Sequence, residues 1–110
     1  MNIEIVQKDV ELDDKARNYI MEKMLRVVRD VSHVSHSHVV LSREPRLYEV
    51  EVILPIGHTV LCAKEKASTL EAAIDLVEDK LLSQIRKLKD KILSRHKHTH
   101  ERRDKNLILE

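Results

Sequence analysis

Apolar and polar residues alternate in two short segments of the chain, and two further short segments are rich in β-branched or other apolar residues. Between Leu47 and Leu54, tyrosine, valine and leucine fall on one face of an extended backbone and two glutamates on the other. A period of two residues is typical of a strand that buries one face. Pro45 and Gly57 separate the later segments, and connections this short join antiparallel neighbours. The pattern predicts strands at 2–7, 36–44, 47–54 and 59–64, the last three forming a meander.

Two other segments carry apolar residues at the spacing of a helix. The first begins after Asp13, a good N-cap, and places apolar residues every three or four positions from Ala16 to Val27. The second follows a capping box in which Ser68 or Thr69 is suited to be the N-cap. Its apolar stripe continues for about six turns. The predicted helices cover 14–30 and 69–94.

The predicted order of elements is β-α-β-β-β-α. A helix that connects two parallel strands of one sheet crosses over with a right hand, so the first strand should run parallel to a neighbour. We expect an α+β fold in which two helices pack on one face of a four-stranded mixed sheet, with Glu49 and Glu51 facing water on the other. The domain should cover 1–94, and 95–110 should form a basic, mobile tail.

Composition favours a small folded domain of a cytoplasmic protein. The chain has 110 residues, of which 35% are charged and 42% apolar, a balance that disordered chains lack. No apolar run approaches the roughly 18–20 residues of a membrane span. The first residues lack the basic segment of a signal peptide. A single cysteine, Cys62, lies in an apolar run, and a lone buried thiol suits a reducing compartment.

Positive charge is concentrated toward the C-terminus, although the net charge is only +1. Between residues 80 and 103 there are nine basic and two acidic residues, an excess of seven positive charges. Four residues at helical spacing should line one face of the second helix: Lys80, Gln84, Lys87 and Lys91. Arg86 and Lys89 flank them. Such a face can follow successive phosphates of a nucleic acid, whereas a helix made soluble by lysine is the alternative.

Structured RNA is the predicted partner of this helix. The chain has no Phe or Trp, and its two tyrosines are Tyr19 and Tyr48. It therefore lacks an aromatic platform on which single-stranded bases could stack. Recognition of an RNA backbone by charge and shape fits better. DNA recognition is the alternative, but the apolar stripe commits one side of the helix to the sheet.

No arrangement of residues indicates an enzyme or a bound cofactor. Gly57 is the single glycine, which excludes a glycine-rich phosphate loop. Histidines cluster at 33–38 and at 96–100, and either cluster could hold a zinc ion transiently. Neither has the cysteine or carboxylate that would complete a structural site. We predict no catalytic residues, no metal site, no cofactor and no small-molecule substrate. The first cluster is interpreted as a polar strand edge, the second as weak phosphate contacts.

The second helix carries a specific run of residues: Ala72-Ala73-Ile74-Asp75, Asp79-Lys80-Leu81, Gln84, Lys87 and Lys89-Asp90-Lys91. In these residues the chain resembles the ribosome hibernation promoting factor family, which includes the ribosome-associated inhibitor and was once labelled as sigma-54 modulation proteins. The resemblance extends to the opening strand, the helix start at Asp13 and the Val39–Leu41 strand, and so covers about residues 1–94. The predicted order of elements agrees with this family and is similar to that of double-stranded-RNA-binding domains.

The resemblance implies a protein that binds the small ribosomal subunit and its rRNA in the channel used by mRNA and tRNA, near the decoding site. Such a protein keeps ribosomes inactive under stress. Its contacts come from basic residues on both helices, which here match Arg17, Lys23, Arg26, Lys80, Gln84, Lys87, Lys89 and Lys91. Arg86 joins this set from the charge pattern. Ser83 and Leu88 depart from the family, which often has arginine and a polar residue there.

The length resembles that of short family members, which lack an additional dimerisation domain, so we expect a monomer away from the ribosome. Whether it would promote ribosome dimers or hold inactive monomers is left open. Two other functions also stay open. One is a general structured-RNA-binding module that is not specific to the ribosome. The other is a protein-interaction module that acts through the apolar segment Leu107–Leu109.

Overall fold

The computed structural model describes residues 2–29 and 31–99, with side chains described as far as Asp90. Its elements are β1 (Asn2–Lys8), α1 (Asp14–Val28), β2 (His36–Glu44), β3 (Leu47–Ile56), β4 (Thr59–Ala67) and α2 (Leu70–Thr99). The predicted β-α-β-β-β-α order is confirmed. Within this described part, no helix is both long enough and apolar enough to cross a membrane.

The four strands form one mixed sheet in the order β1-β2-β3-β4. β1 pairs with β2 in parallel, as predicted from the helical crossover between them. β2, β3 and β4 form the predicted antiparallel meander. Gly57 opens the two-residue loop between β3 and β4 with a φ of 59°. Glycine adopts this left-handed region without a steric penalty, which suits the first position of a tight hairpin turn.

Both helices cover one face of the sheet. Val50, Val52 and Leu54 of β3 are at most 1% exposed, and they pack in one cluster with Ile20 of α1 and Leu81 of α2. Because side chains alternate along a strand, the intervening glutamates of β3 lie on the open face. The predicted division of β3 into a buried and a solvent-facing side is therefore confirmed.

Side chains cap both helices at their N-termini. The Asp13 Oδ1 atom accepts a hydrogen bond of 2.7 Å from the Ala16 amide, as predicted. Thr69, rather than Ser68, caps α2, because its Oγ1 atom accepts from the Ala72 amide at 3.1 Å. These bonds satisfy amides that a helix leaves unpaired in its first turn.

The C-terminal ends of both helices differ from the prediction. α1 ends at Val28, two residues early, and α2 continues to Thr99 instead of ending at 94. The backbone of 95–99 is therefore helical and continues the domain's last element. Residues 100–110, which include most of the predicted tail and the Leu107–Leu109 segment, lie outside the described residues. The division into a domain and a tail stays a prediction.

The prediction of a buried Cys62 is wrong, since this thiol is exposed. Cys62 pairs with Ile53 in the sheet, while its neighbour Ala63 is only 3% exposed. An apolar run does not show by itself which of its residues point inward. Because Ala63 faces the helices, the alternation of the strand places Cys62 on the open face.

The first histidine cluster contributes to the pairing of β1 with β2. His38 lies opposite Glu4, with its Nδ1 atom 3.0 Å from Glu4 Oε1. His36 lies opposite Asn2, and the His36 Nδ1 and Asn2 Nδ2 atoms are 3.4 Å apart. Both histidines therefore make cross-strand polar contacts. Side chains of the second cluster lie outside the described part of the chain.

The fold predicts unequal roles for two leucines of α2. Leu81 is fully buried against the sheet, whereas Leu76 is 45% exposed. Leu81→Ala should lower the free energy of unfolding by about 2–5 kcal/mol, because the lost methyl groups leave a cavity. Leu76→Ala should change it by less than about 0.5 kcal/mol. Urea unfolding measures both, and equal effects would contradict the assigned packing of α2.

Candidate nucleic-acid interface

α1 and α2 lie side by side and run in the same direction. The Tyr19 hydroxyl donates a hydrogen bond to Asp75, and Lys23 Nζ lies 3.4 Å from Glu78 Oε1. Further along, Arg26 lies across a groove from Arg86. Residues later in α1 thus contact residues later in α2, as in a pair of parallel helices. Both N-termini lie at one end of the molecule, and the C-terminus of α1 lies beside the later turns of α2.

Charge follows the direction of these parallel helices. The N-terminal end is acidic, with Asp13 and Asp14 at the start of α1 and Glu71 in the first turn of α2. Basic residues lie at the opposite end, including Arg26 in the last turn of α1. Acidic side chains near helix N-termini and basic ones near C-termini complement the helix dipole. The two-helix layer therefore has an acidic end and a basic end.

The basic end contains a groove of about 260 Å³ between the last turn of α1 and α2. Its apolar floor consists of Val27, Leu82 and Ile85. Four cationic side chains form its rim: Arg26 in the last turn of α1, Arg29 at the C-cap of α1, and Arg86 and Lys89 of α2. We call these four residues and the space between them the basic groove. The groove brings together three of the predicted RNA-binding residues.

Most cations at this end have no carboxylate partner. Among the described side chains, Arg29, Arg86, Lys87 and Lys89 form no ion pair within the 4.0 Å limit that defines one. Arg86 and Lys87 are exposed, and Lys89 is partly exposed. Uncompensated positive charges that lie close together produce a local potential that attracts polyanions. The basic groove and Lys87 thus form the strongest candidate surface for a nucleic acid.

Lys23, one of the predicted RNA-binding residues, lies between the two helices. Its side chain is only 17% exposed and lies 3.7 Å from Asp75 and 3.4 Å from Glu78. Its ammonium group also lies 5.2 Å from the centre of the Tyr19 ring, within the range of a cation–π contact. Lys23 therefore faces the interface between the helices. Its charge is neutralised by α2.

The predicted row along α2 is divided by contacts with the sheet. Lys80 Nζ forms an ion pair of 2.8 Å with Glu65 Oε2 of β4. Gln84 Nε2 donates a hydrogen bond of 2.8 Å to the carbonyl oxygen of Cys62. These two residues connect α2 to β4, whereas Lys87 makes no such contact in the described part. The side chain of Lys91 lies outside it.

Arg17 lies apart from the basic groove. Its Nη2 atom donates a hydrogen bond of 3.3 Å to Gln7 Oε1 of β1. Arg26 follows Arg17 by nine positions, which correspond to about 14 Å along α1. A ligand that contacts the groove would have to extend along the helix to reach Arg17.

Sequence reasoning missed Arg29, the fourth member of the basic groove. Its position three residues after Arg26 was a usable signal, because residues with this spacing are neighbours on a helix surface.

The two residues that depart from the family pattern, Ser83 and Leu88, lie in different environments. Leu88 packs against the hydrophobic core, and Ser83 is partly exposed. The side chain at position 88 therefore contributes to packing.

Glu78 connects the interface between the helices to the basic groove. This residue is 8% exposed, with Lys23 beside Oε1 and Arg26 Nη1 lying 3.5 Å from Oε2. A carboxylate at this burial needs compensation by cations or hydrogen bonds. Lys23 and Arg26 supply that compensation from α1. The charged contacts of Glu78 thus hold the two helices in register.

Comparison with known proteins identifies the family of this chain. Residues 3–93 match the family described as sigma 54 modulation protein / S30EA ribosomal protein. The chain belongs to this family. The description of the S30EA family names a ribosomal protein and no class of enzyme. The family expected from the residues of α2 is confirmed.

Relatives within the S30EA family include named hibernation factors. The ribosome hibernation promoting factor of Pseudomonas putida is 31% identical over 91 residues, which cover 83% of this chain and 89% of that protein. The factor of Azotobacter vinelandii is 28% identical over 95 residues, covering 86% and 89%. The ribosome hibernation promotion factor of Staphylococcus aureus is 34% identical over 95 residues. This match covers 84% of the present chain and 50% of the Staphylococcus aureus protein.

Solved structures share the same fold. The N-terminal domain of Protein Y from Thermus thermophilus superposes with a TM-score of 0.71 at 27% identity, covering 80% of this chain and 99% of that domain. A ribosomal subunit interface protein from Coxiella burnetii superposes with a TM-score of 0.75 at 21% identity, covering 82% and 99%. The second likeness shows the fold alone. Together they confirm the α+β fold predicted from the sequence.

The contact between Tyr19 and Asp75 gives a test of the interface between the helices. The hydrogen bond to Asp75 is the main cause, and burial a smaller one, that raises the pKa of Tyr19 from 10.0 to about 12. Because the folded protein holds this proton more tightly, the contact stabilises the fold below about pH 10. That contribution should be lost as the pH rises toward 12.

A Tyr48→Phe variant would leave Tyr19 as the only phenol, so that its ultraviolet absorbance reports ionisation directly. Circular dichroism at each pH would show that the fold persists. Asp75→Asn should move the midpoint back toward 10. A midpoint near 10 in the folded Tyr48→Phe protein would contradict the assigned contact.

Proposed function

We propose that this protein binds the small ribosomal subunit in the channel used by mRNA and tRNA, and that it keeps ribosomes inactive under stress. The names of its relatives support a role in ribosome hibernation. The observation that carries the proposal is the basic groove, with Lys87 beside it. There, cations from the two parallel helices lie together, and most of them have no carboxylate partner among the side chains that the structure describes.

The chemistry of the groove suits an RNA backbone. Arginine can donate two hydrogen bonds to one phosphate, and the rim of the groove carries three arginines. α2 has 30 residues and is therefore about 45 Å long, which is enough to present cations to several successive phosphates. Contacts of this kind recognise charge and shape and need no stacking platform. Structured rRNA is the polyanion that this surface fits best.

The remaining predicted residues have secondary roles in this proposal. Lys80 and Arg17 reach the same partner only where the RNA extends along the helices away from the groove. Lys23 acts through the fold, because it compensates Glu78. Gln84 fixes α2 over β4. Catalysis has no part in the proposed function, and the cytoplasm is the proposed location because the ribosome is the proposed partner.

Salt dependence should distinguish the basic groove from other charged surfaces. The Arg86→Ala/Lys89→Ala double variant should weaken binding to purified small subunits. It should also flatten the slope of log affinity against log salt by about 1.4–1.8, because each lost phosphate contact removes about 0.7–0.9. A fluorophore on the exposed Cys62 thiol, which lies on the open face of the sheet, can report binding.

Lys64→Ala/Lys66→Ala is the matched control, since it also removes two positive charges. These lysines lie on the open face of the sheet and pair with Glu49 and Glu44. The control should leave the salt slope nearly unchanged. If the control flattened the slope as much as the groove variant, the sheet face rather than the basic groove would be the interface.

Competition should separate a decoding-channel ligand from a general structured-RNA-binding module. A protein that occupies the mRNA and tRNA channel should be displaced from small subunits by transfer RNA or by initiation factors that bind there. Sedimentation of the subunits with each competitor measures the displacement. Binding that persists at saturating competitor would favour the general module, and the proposed location on the subunit would then be wrong.

A further inference from the structure

Glu78 has two cationic partners in very different environments. The side chain of Lys23 is 17% exposed and that of Arg26 is 55% exposed. Lys23 has a second carboxylate partner, Asp75, and lies beneath the Tyr19 ring. Lys23 is therefore held within the interface between the helices. Arg26 approaches Glu78 from the solvent side, as part of the basic groove.

The contact between Glu78 and Arg26 is the weaker of the two. The Arg26 Nη1 and Glu78 Oε2 atoms are 3.5 Å apart, and Oε2 accepts no hydrogen bond from the described residues although it is buried. The guanidinium group of Arg26 is exposed enough for water to solvate it when it leaves Glu78. Lys23, which is largely buried beside Oε1, continues to compensate the carboxylate, so Arg26 is the partner that can be exchanged.

Arg29 lines the same groove as Arg26 but makes no contact with Glu78. Both arginines come from the end of α1, and both line the basic groove. Arg29 forms no ion pair among the described side chains, whereas Arg26 faces Glu78. No carboxylate among the described side chains competes with a phosphate for Arg29. At Arg26 the same phosphate has to replace a carboxylate.

We propose that Glu78 is an internal competitor of the RNA phosphate, and that Arg26 exchanges Glu78 for a phosphate when RNA occupies the basic groove. This inference rests on the proposed function. The carboxylate lowers the affinity of the groove for RNA, because binding has to break the contact between Glu78 and Arg26 and bring phosphate close to a negative charge. Glu78 thereby limits how tightly the protein holds its partner and keeps the complex reversible.

A double-mutant cycle between Glu78 and Arg26 tests this exchange. Glu78→Gln in the full chain should tighten binding to purified small subunits by about two- to fivefold at low salt, the size expected for the loss of a weak competing ion pair. Arg26→Ala in the Glu78→Gln background should abolish that gain. Arg26→Ala alone should weaken binding less than Arg29→Ala does.

Asp79→Asn is the matched control for net charge. Asp79 is the next residue on α2, is exposed, and forms no ion pair among the described side chains. Any gain from Asp79→Asn should be smaller than the gain from Glu78→Gln and should not depend on Arg26. A purely structural role of Glu78 would leave the affinity of the folded Glu78→Gln protein unchanged or lower. An unchanged or a lower affinity of the folded Glu78→Gln protein would therefore overturn the proposal.

The same measurements distinguish this inference from the proposed function. If Arg29→Ala weakens binding but Glu78→Gln does not tighten it, the groove binds RNA and only the exchange is wrong. If neither Arg29→Ala nor Arg86→Ala/Lys89→Ala weakens binding, the proposed function itself fails. Should Glu78→Gln not fold, the comparison of Arg26→Ala with Arg29→Ala decides. An equal or greater loss from Arg26→Ala would then overturn the inference.

Discussion

The packing of two parallel helices on one face of a sheet is the constraint on which this structure depends. It buries the apolar sides of both helices and brings their charged borders together, where Glu78 is 8% exposed. Two cations of α1 compensate this carboxylate. Lys23 is the more buried of the two, and its removal would cost more than the pair contributes, because the Glu78 charge would be left without its buried partner. The ionic contacts between the helices therefore fix their register.

That register also produces the candidate interface. Because the helices run in the same direction, their dipoles add, and acidic side chains collect at one end and basic side chains at the other. The last turn of α1 lies beside α2 at Arg86 and Lys89, so four cations surround one apolar floor. Antiparallel helices with the same residues would place Arg26 and Arg29 beside the acidic first turns of α2. The charge distribution thus follows from the topology as much as from composition.

The sequence predicted the topology well, because hydrophobic period, caps and turns all depend on nearby residues. Asp13 and Gly57 act locally as expected. Side-chain contacts between different elements could not be predicted from nearby residues. Nothing near Lys23 or Lys80 in the chain reveals that Glu78 and Glu65 neutralise them, since those carboxylates lie on other elements. The prediction that Cys62 is buried was wrong for a related reason. Which residues of a short apolar strand point inward depends on the surface against which the strand packs.

The difference between paired and unpaired cations changes what a count of positive charges means. The C-terminal part of the chain is rich in lysine and arginine, but Lys80 in that part forms an ion pair with β4. Lys23 of α1 likewise forms ion pairs with α2. A cation that already has a carboxylate partner gains less from a phosphate than one whose counterions are released into solution. Affinity for RNA should therefore follow the unpaired cations of the basic groove. Within 80–90, the ion pair of Lys80 with Glu65 compensates one of the positive charges that the count for 80–103 includes.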